Sequence, residues 1–127
     1  MKFSLKILSS NCAVNDSSLS LVIKMTTSEK SVLFLADAGV EAGEWLYDTY
    51  SGTDTLKADV VQMAHHGQAG VEENVYQLIS PSIALFNCDE YVFNNTSGKL
   101  KTLIVRGWME KLGARIYCSK DGIYIFK

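Results

Sequence analysis

The sequence predicts an α/β (α+β) fold, with one mixed central sheet and about three helices on one of its faces. Residues 32–36 and 83–86 are apolar at every position, which is typical of central strands covered on both sides. Residues 3–7 and 19–25 instead alternate apolar with polar side chains, as half-buried strands do. With 127 residues, 47% of them hydrophobic, we expect one domain, residues 1–127, with its own core.

The first three strands are predicted to be antiparallel. The alternating residues 3–7 indicate a half-buried edge strand. Residues 15–17, Asn-Asp-Ser, predict a turn before the second strand. The polar residues 28–30 then connect that strand to residues 32–36, which completes a hairpin.

Helices and strands alternate along the next part of the chain. The spacing of apolar residues predicts amphipathic helices over 40–50 and 71–79. The second helix ends where Pro81 favours an extended chain. Residues 60–64 and 83–86 are the short, mostly apolar strands that follow these two helices.

The last part of the chain is predicted to hold the longest helix and a hairpin. The helix covers about 98–112, and Gly113 is suited to end it. Residues 114–119 and 122–126 flank an Asp-Gly turn at 120–122. The predicted order of elements is therefore β-β-β-α-β-α-β-α-β-β.

The composition argues against several classes of protein. The formal net charge of −2 gives no electrostatic reason to expect nucleic acid or an anionic membrane as a partner. No apolar run approaches the roughly 20 residues of a membrane-spanning helix, and residues 1–5 predict a strand rather than a signal peptide. Cys12, Cys88 and Cys118 are scattered and are expected to be free thiols, so we expect a cytoplasmic protein.

Asp37 and the tandem His65 and His66 are the residues most suggestive of chemistry. Asp37 ends the apolar run 32–36, and the two histidines, the only ones in the chain, follow the run 60–64. If both runs are parallel strands joined by a helical crossover, their carboxyl ends lie on the same sheet edge, about 5 Å apart. A carboxylate and an imidazole would converge there, and this combination binds divalent metals. The sequence therefore predicts part of a metal site.

Each of these residues also has a purely structural interpretation. Asp37 is compatible with an N-cap or turn position ahead of the helix 40–50. One imidazole bonded to a backbone carbonyl, with the other exposed, would account for His65 and His66. Because adjacent strand residues point to opposite faces, at most one His faces the metal, and the other orients a ligand or contacts substrate. Gly67 would let the backbone turn sharply after them.

Further polar residues follow the strand 83–86 on the same predicted edge, namely Asn87, Cys88, Asp89 and Glu90. They either line a substrate pocket or form a plain loop. Cys88 is a conceivable soft metal ligand, although a buried thiol is the commoner role.

Two motifs carry a resemblance to a known family. Residues 33–37 (Leu-Phe-Leu-Ala-Asp) and 56–68 (ending His-His-Gly-Gln) resemble the second half of metallo-β-lactamase-fold hydrolases. The similarity is greatest to the branch that contains the soluble domain of competence (DNA-uptake) proteins and related phosphoester hydrolases. Residues 15–22 and the closing segments 113–117 and 121–123 also resemble that branch, so the resemblance covers nearly the whole chain.

The resemblance implies a fold, an activity and a set of site residues. The chain would be the C-terminal half of an αββα sandwich, and the intact protein would be a metal-dependent hydrolase of phosphodiesters or related esters. Asp37 and His65 would be catalytic, and Zn²⁺ or Mn²⁺ would be bound by Asp37, His65 and His66. The substrate would be contacted by His66, Gln68 and Asn87.

Departures from the family pattern limit what this chain can do alone. Ala36 stands in place of the family's Gly, Gln68 in place of its Ser, and residues 94–98 in place of its His-Pro. The family's His-x-His-x-Asp-His motif and its third metal-binding His belong to the first half of the fold, and nothing here matches them. We therefore expect the isolated chain to bind metal weakly or not at all and to be inactive. The alternative is a non-catalytic binding or assembly module built on the half-fold.

Counting the faces of the sheet predicts an assembly. Three helices can cover one face, whereas nothing left in the chain can cover the other. An exposed apolar face several strands wide exceeds the roughly 300–600 Å² that soluble monomers usually tolerate. We expect either a homodimer, burying on the order of 1,200–2,000 Å², or a missing N-terminal half that covers this face.

Overall fold

A six-stranded mixed sheet forms the centre of the computed structural model, which describes residues 2–8 and 20–125. The strands lie side by side in chain order: β1 (Phe3–Ile7), β2 (Ile23–Thr27), β3 (Ser31–Phe34), β4 (Val60–Gln62), β5 (Ile83–Phe86) and β6 (Arg115–Cys118). β2 is antiparallel to both of its neighbours, whereas β3 to β6 run parallel to one another. The predicted mixed α/β fold is confirmed.

Helices connect the parallel strands. They are α1 (Val40–Tyr50), α2 (Glu73–Ile79), α3 (Glu90–Phe93) and α4 (Thr102–Lys111), and two 3₁₀ turns cover Ala64–Gly67 and Ser119–Asp121. Each parallel connection contains at least one helix, because parallel neighbours need a long crossover. None of the helices in the described part of the chain is long and apolar enough to cross a membrane.

The helices pack on one face of the sheet. Leu33, Val61 and Ala84 lie next to one another on three neighbouring strands and are fully buried. They belong to one apolar cluster with buried helix residues, which are Ala42, Leu46, Val75, Tyr76, Ile79, Val105 and Met109. Each fully buried Leu or Ile of this kind contributes about 1.5–3 kcal/mol, so this cluster holds the helices on the sheet.

The opposite face of the sheet is also apolar but is not part of that cluster. Residues paired across neighbouring strands point to the same face, and one such row crosses all six strands. It consists of Ile7, Ile23, Phe34, Gln62, Leu85 and Tyr117. Phe3, Leu5 and Ile7 of β1 are each 62% exposed, and Phe34 is 38% exposed. We call this surface the open face.

Two expectations about the N-terminal strands need correction. β1 is an edge strand as predicted, but it is exposed at every position rather than half-buried, because its apolar side chains lie on the open face. The second strand begins at Ile23, so residues 20–22, which were predicted to belong to it, do not. The turn predicted at 15–17 lies outside the described residues.

The C-terminal elements also differ from the prediction. Residues 122–125 are not a strand, because the chain leaves β6 in a 3₁₀ turn that Ser119 Oγ ties to the Cys88 carbonyl oxygen at 2.8 Å. The long helix begins at Thr102 instead of 98, since Lys101 before it has a left-handed φ of 59°. α2 begins at Glu73 instead of 71, and the short α3 was not predicted.

Candidate functional site

The carboxyl ends of the parallel strands bring the predicted site residues to one edge of the sheet. Asp37 follows β3, His65 and His66 follow β4, and Asn87 follows β5. β3, β4 and β5 are parallel neighbours. This edge is where open α/β sheets place their ligands.

The two histidines lie in a left-handed turn, not on the strand. His65 has φ 49° and ψ 44°, His66 has φ 62° and ψ 19°, and Gly67 has a φ of 88°. The prediction that strand alternation points the two imidazoles to opposite faces is therefore wrong, because β4 already ends at Gln62. A left-handed conformation costs a residue with a side chain roughly 1–2 kcal/mol, so neighbouring contacts must hold this turn in place.

Contacts from three sides hold the turn. The His65 backbone N–H donates to the Ala36 carbonyl oxygen (2.9 Å), and the Ala64 N–H donates to the phenol oxygen of Tyr76 on α2 (3.2 Å). The Ala69 N–H donates to the carbonyl oxygen of Leu100 (2.8 Å). Burial raises the pKa of Tyr76, so its hydroxyl stays protonated at any ordinary pH.

Glycine is required inside this turn. A Cβ atom on Gly67 would lie 2.1 Å from the ring of Phe86, which is fully buried on β5. Ala36, which stands where the resembled family has Gly, likewise has a positive φ of 51°. The sharp turn predicted at Gly67 is therefore present. The positive φ of Ala36 is a backbone conformation that Gly adopts more readily than Ala.

His66 is the imidazole that meets Asp37. Its Nε2 lies 3.5 Å from Asp37 Oδ1, and the two side chains are 46% and 62% exposed. The His65 ring instead bonds through Nδ1 to the Ala69 carbonyl oxygen at 2.9 Å. Asp37 lies in a turn ahead of α1, as its structural interpretation predicted, but it does not cap the helix, whose N-cap is Gly39. An exposed pair of this kind adds little stability, so this contact is not what holds the turn in place.

Asn87 contacts the other side of the His66 ring, and Gln62 in turn bonds to Asn87. His66 Nδ1 lies 3.1 Å from Asn87 Nδ2 and 3.2 Å from the Asn87 carbonyl oxygen. Asn87 Oδ1 accepts from Gln62 Nε2 at 3.0 Å, and Gln62 Oε1 accepts from the Ala36 backbone N–H at 2.9 Å. Hydrogen bonds therefore connect the ends of β3, β4 and β5.

Sequence reasoning missed Gln62. It was counted within the mostly apolar run 60–64, yet it lies on the open face beside Phe34 and Leu85. A polar residue inside a short apolar strand was the signal that could have found it, because a half-buried amide needs partners.

Other residues named from the sequence lie nearby. Gln68 is half-buried, and its backbone N–H donates to the His65 carbonyl oxygen at 3.0 Å. Cys88 and Cys118 are free, with sulfur atoms 3.9 Å apart, and Cys12 lies outside the described residues. Burial, and then the neighbouring Cys118, raise the pKa of Cys88 to about 12. A neutral thiol of this kind is a poor metal ligand and nucleophile.

A shallow pocket of about 220 Å³ adjoins this edge between the ends of β5 and β6. Its walls are formed by Leu85, Phe86, Asn87, Tyr117, Cys118, Ser119, Gly122 and Tyr124. The Tyr117 and Tyr124 rings meet edge to face at 4.3 Å. Asn87 is therefore shared between the pocket and the His66 contact.

The chemistry of the pair suits a divalent metal, but the number of ligands does not complete a site. Within the described ranges, no group of three or more His, Cys, Asp or Glu side chains is placed to hold a metal ion. Asp37 and His66 offer an oxygen and a nitrogen donor close together, and the far nitrogen of His66 lies beside a backbone carbonyl, as in metal-binding histidines. These residues therefore fit a partial ligand set.

Comparisons with known proteins add no identification. No protein-family model matches the chain, and no curated protein matches it. The resemblance to metallo-β-lactamase-fold hydrolases consequently stays a prediction from the sequence motifs.

Proposed function

We propose that this chain is the C-terminal half of a metal-dependent hydrolase of phosphodiesters or related esters. Asp37 and His66 supply two ligands to its divalent metal, Zn²⁺ or Mn²⁺. The observation that carries the proposal is the approach of the Asp37 carboxylate to the His66 imidazole, 3.5 Å apart at the carboxyl edge of the parallel strands. The motif at residues 65–68, which resembles that of the hydrolase family, gives the substrate class.

The roles of the residues follow from their positions. These residues would hold a divalent ion, which would supply activation of water and stabilisation of developing negative charge. Asp37 offers a carboxylate oxygen to it, His66 offers Nε2, and the Asn87 carbonyl oxygen orients the ring through Nδ1. His65, whose ring bonds to the Ala69 carbonyl oxygen, supports the turn. Gln68 and Asn87 would contact the substrate, as the resemblance implies.

The remaining ligands come from another polypeptide segment. Catalytic zinc sites use three protein ligands and structural ones four, whereas the pair here provides two. The first half of the resembled fold would bring its His-x-His-x-Asp-His motif to this edge. Cys88 and Cys118 are free thiols that form no disulfide, which supports a reducing, cytoplasmic location.

Calorimetric titration with Zn²⁺ and with Mn²⁺ tests the proposal. We expect weak binding by the chain, which disappears in Asp37→Ala and in His66→Ala. Asp48→Ala is the matched control and should retain it, since Asp48 is an exposed carboxylate on α1. Unchanged binding in both Asp37→Ala and His66→Ala would refute the proposed site.

The ligand count also predicts the activity of the isolated chain. We expect no turnover of a generic phosphodiester such as bis(p-nitrophenyl) phosphate, with either metal in excess. Turnover that survives repurification and disappears in Asp37→Ala would mean that the described residues already form a complete site.

A second candidate function is a non-catalytic binding or assembly module. The open face favours it, because Leu5, Ile7 and Phe34 present contiguous apolar surface on β1 to β3. Substitutions distinguish the two functions. Metal binding by the hydrolase half needs Asp37 and His66, whereas assembly by the module depends on the open face alone.

A further inference from the structure

We propose that Gln62 and Asn87 are positioning residues that set the tautomer of His66. This inference rests on the proposed function, because the tautomer decides whether His66 Nε2 has a free lone pair for a metal ion. A series of hydrogen bonds crosses the ends of β3, β4 and β5, and one backbone amide at its start fixes the direction of every following bond.

The direction is fixed at the first link. The Ala36 backbone N–H can only donate, and it donates to Gln62 Oε1 (2.9 Å). Gln62 Nε2 therefore faces the other way and donates to the Met63 carbonyl oxygen (2.6 Å) and to Asn87 Oδ1 (3.0 Å). Because the Met63 carbonyl can only accept, it assigns the amide of Gln62 independently in the same sense.

The last hydrogen bond of the series joins Asn87 to His66. With Asn87 Oδ1 accepting from Gln62, Asn87 Nδ2 points to His66 Nδ1 at 3.1 Å. An amide nitrogen only donates, so Nδ1 accepts and the ring proton resides on Nε2, facing Asp37 Oδ1. In the metal-free protein, His66 is thus held in the tautomer that cannot bind a metal through Nε2.

Asn87 also offers the opposite partner to the same nitrogen. Its carbonyl oxygen lies 3.2 Å from His66 Nδ1 and would accept a proton from an Nδ1–H group. That tautomer leaves a lone pair on Nε2, as metal binding requires. One residue therefore serves both forms of His66, its side chain in the metal-free protein and its backbone once Nε2 has a metal.

Heteronuclear NMR that links the ring protons of His66 to its two nitrogens tests the assignment. The sample is metal-free protein in a buffer alkaline enough to keep the imidazole neutral, and His65→Ala identifies which ring is which. In the wild-type chain we expect Nε2 to be protonated and Nδ1 to be unprotonated.

Two variants should reverse the direction of these hydrogen bonds, each from a different residue. Asn87→Asp keeps the size of the side chain but places an acceptor opposite Nδ1, so the proton should move to Nδ1. Gln62→Glu does not touch His66, yet its carboxylate accepts from Asn87 Nδ2 and turns Asn87 Oδ1 toward the ring, which should move the proton in the same way. Asn74→Asp adds the same charge on the exposed side of α2 and should leave the wild-type pattern.

The outcomes distinguish the positioning role of Gln62 and Asn87 from the proposed metal site. A protonated Nδ1 in the wild-type chain, or an unchanged tautomer in both Asn87→Asp and Gln62→Glu, overturns the positioning role. Titration of the same samples with Zn²⁺ tests the proposed function separately. Failure of every sample to bind Zn²⁺ overturns the metal site and leaves the tautomer result standing, whereas binding about tenfold tighter in Asn87→Asp supports both.

Discussion

Backbone conformation at single residues decides the geometry of this site. Ala36, His65 and His66 have positive φ although they have side chains, and all three lie at the carboxyl ends of β3 and β4. Strain of this kind persists only where surrounding contacts impose it, and it concentrates at functional sites. The left-handed turn is what brings the His66 ring, instead of the His65 ring, to Asp37.

Gly67→Ala should destabilise the chain far more than a glycine of similar backbone elsewhere. Its Cβ would be strained by the φ of 88° and would overlap the Phe86 ring at 2.1 Å. We expect a loss of about 3 kcal/mol or more in the free energy of unfolding, measured by urea denaturation. Gly52→Ala is the matched control, because Gly52 has a φ of 79° and open space, and should lose only about 1 kcal/mol. Equal losses would show that the contact with Phe86 is unimportant.

At the scale of elements, α2 supports the histidine turn from beneath. Tyr76 is fully buried, and its ring is tilted by 43° against that of Trp108 on α4, with the ring centroids 6.2 Å apart. Its phenol oxygen accepts the Ala64 N–H at the start of the turn. The helices α2 and α4 thereby help to fix the position of the histidine turn, because the Tyr76 hydroxyl is the acceptor for the Ala64 N–H.

Tyr76→Phe should weaken the fold and loosen the turn together. Removing the hydroxyl leaves the buried Ala64 N–H without this acceptor, so we expect a loss of about 1–3 kcal/mol in the free energy of unfolding. Hydrogen exchange of the His65 amide, which donates to the Ala36 carbonyl oxygen, should accelerate as well. Tyr47→Phe removes a hydroxyl from a half-buried tyrosine on α1 and serves as the control. The prediction fails if the two variants cannot be distinguished by either measurement.

For the whole molecule, the unequal cover of the sheet is the dominant feature. Helices cover one face, whereas on the other the apolar side chains of β1 (Phe3, Leu5 and Ile7) and Phe34 of β3 remain exposed. Because apolar surface of this kind is rarely left in water, we propose that in the isolated chain, without the first half of the proposed hydrolase, a second copy covers it by packing open face against open face. A twofold axis makes such an interface self-complementary.

We expect the chain to be a dimer at micromolar concentration by light scattering. Leu5→Lys and Phe34→Asp place charges on the open face and should weaken dimerisation at least about tenfold, since each buries an unpaired charge. Ile104→Lys is the matched control: Ile104 is 53% exposed on α4, on the helical side, and should not alter the dimer. A monodisperse 14.0 kDa species would contradict the prediction and point to another polypeptide segment on this face.

Local pattern was enough to predict most of the elements. Residues 83–86 and 40–50 were predicted with the bounds that the structure has, because apolar runs and helical spacing reflect burial close along the chain. Elements that depend on a turn were less predictable. The Asp-Gly pair at 121–122 indicates a hairpin on its own, but the Ser119 contact with the distant Cys88 carbonyl redirects the chain.

The sequence by itself therefore determined the class of fold, the order of the main elements and the edge where Asp37 and the histidines lie. Parallel strands put their carboxyl ends together whatever their side chains are, which is why that edge was predictable. Only the tertiary structure decided which imidazole meets Asp37, and that Gln62 and Asn87 orient it. Those contacts join residues 21 or more positions apart. The position of the His66 ring also depends on left-handed backbone angles, which the contacts with Phe86 and Tyr76 hold in place and which the local sequence pattern does not show.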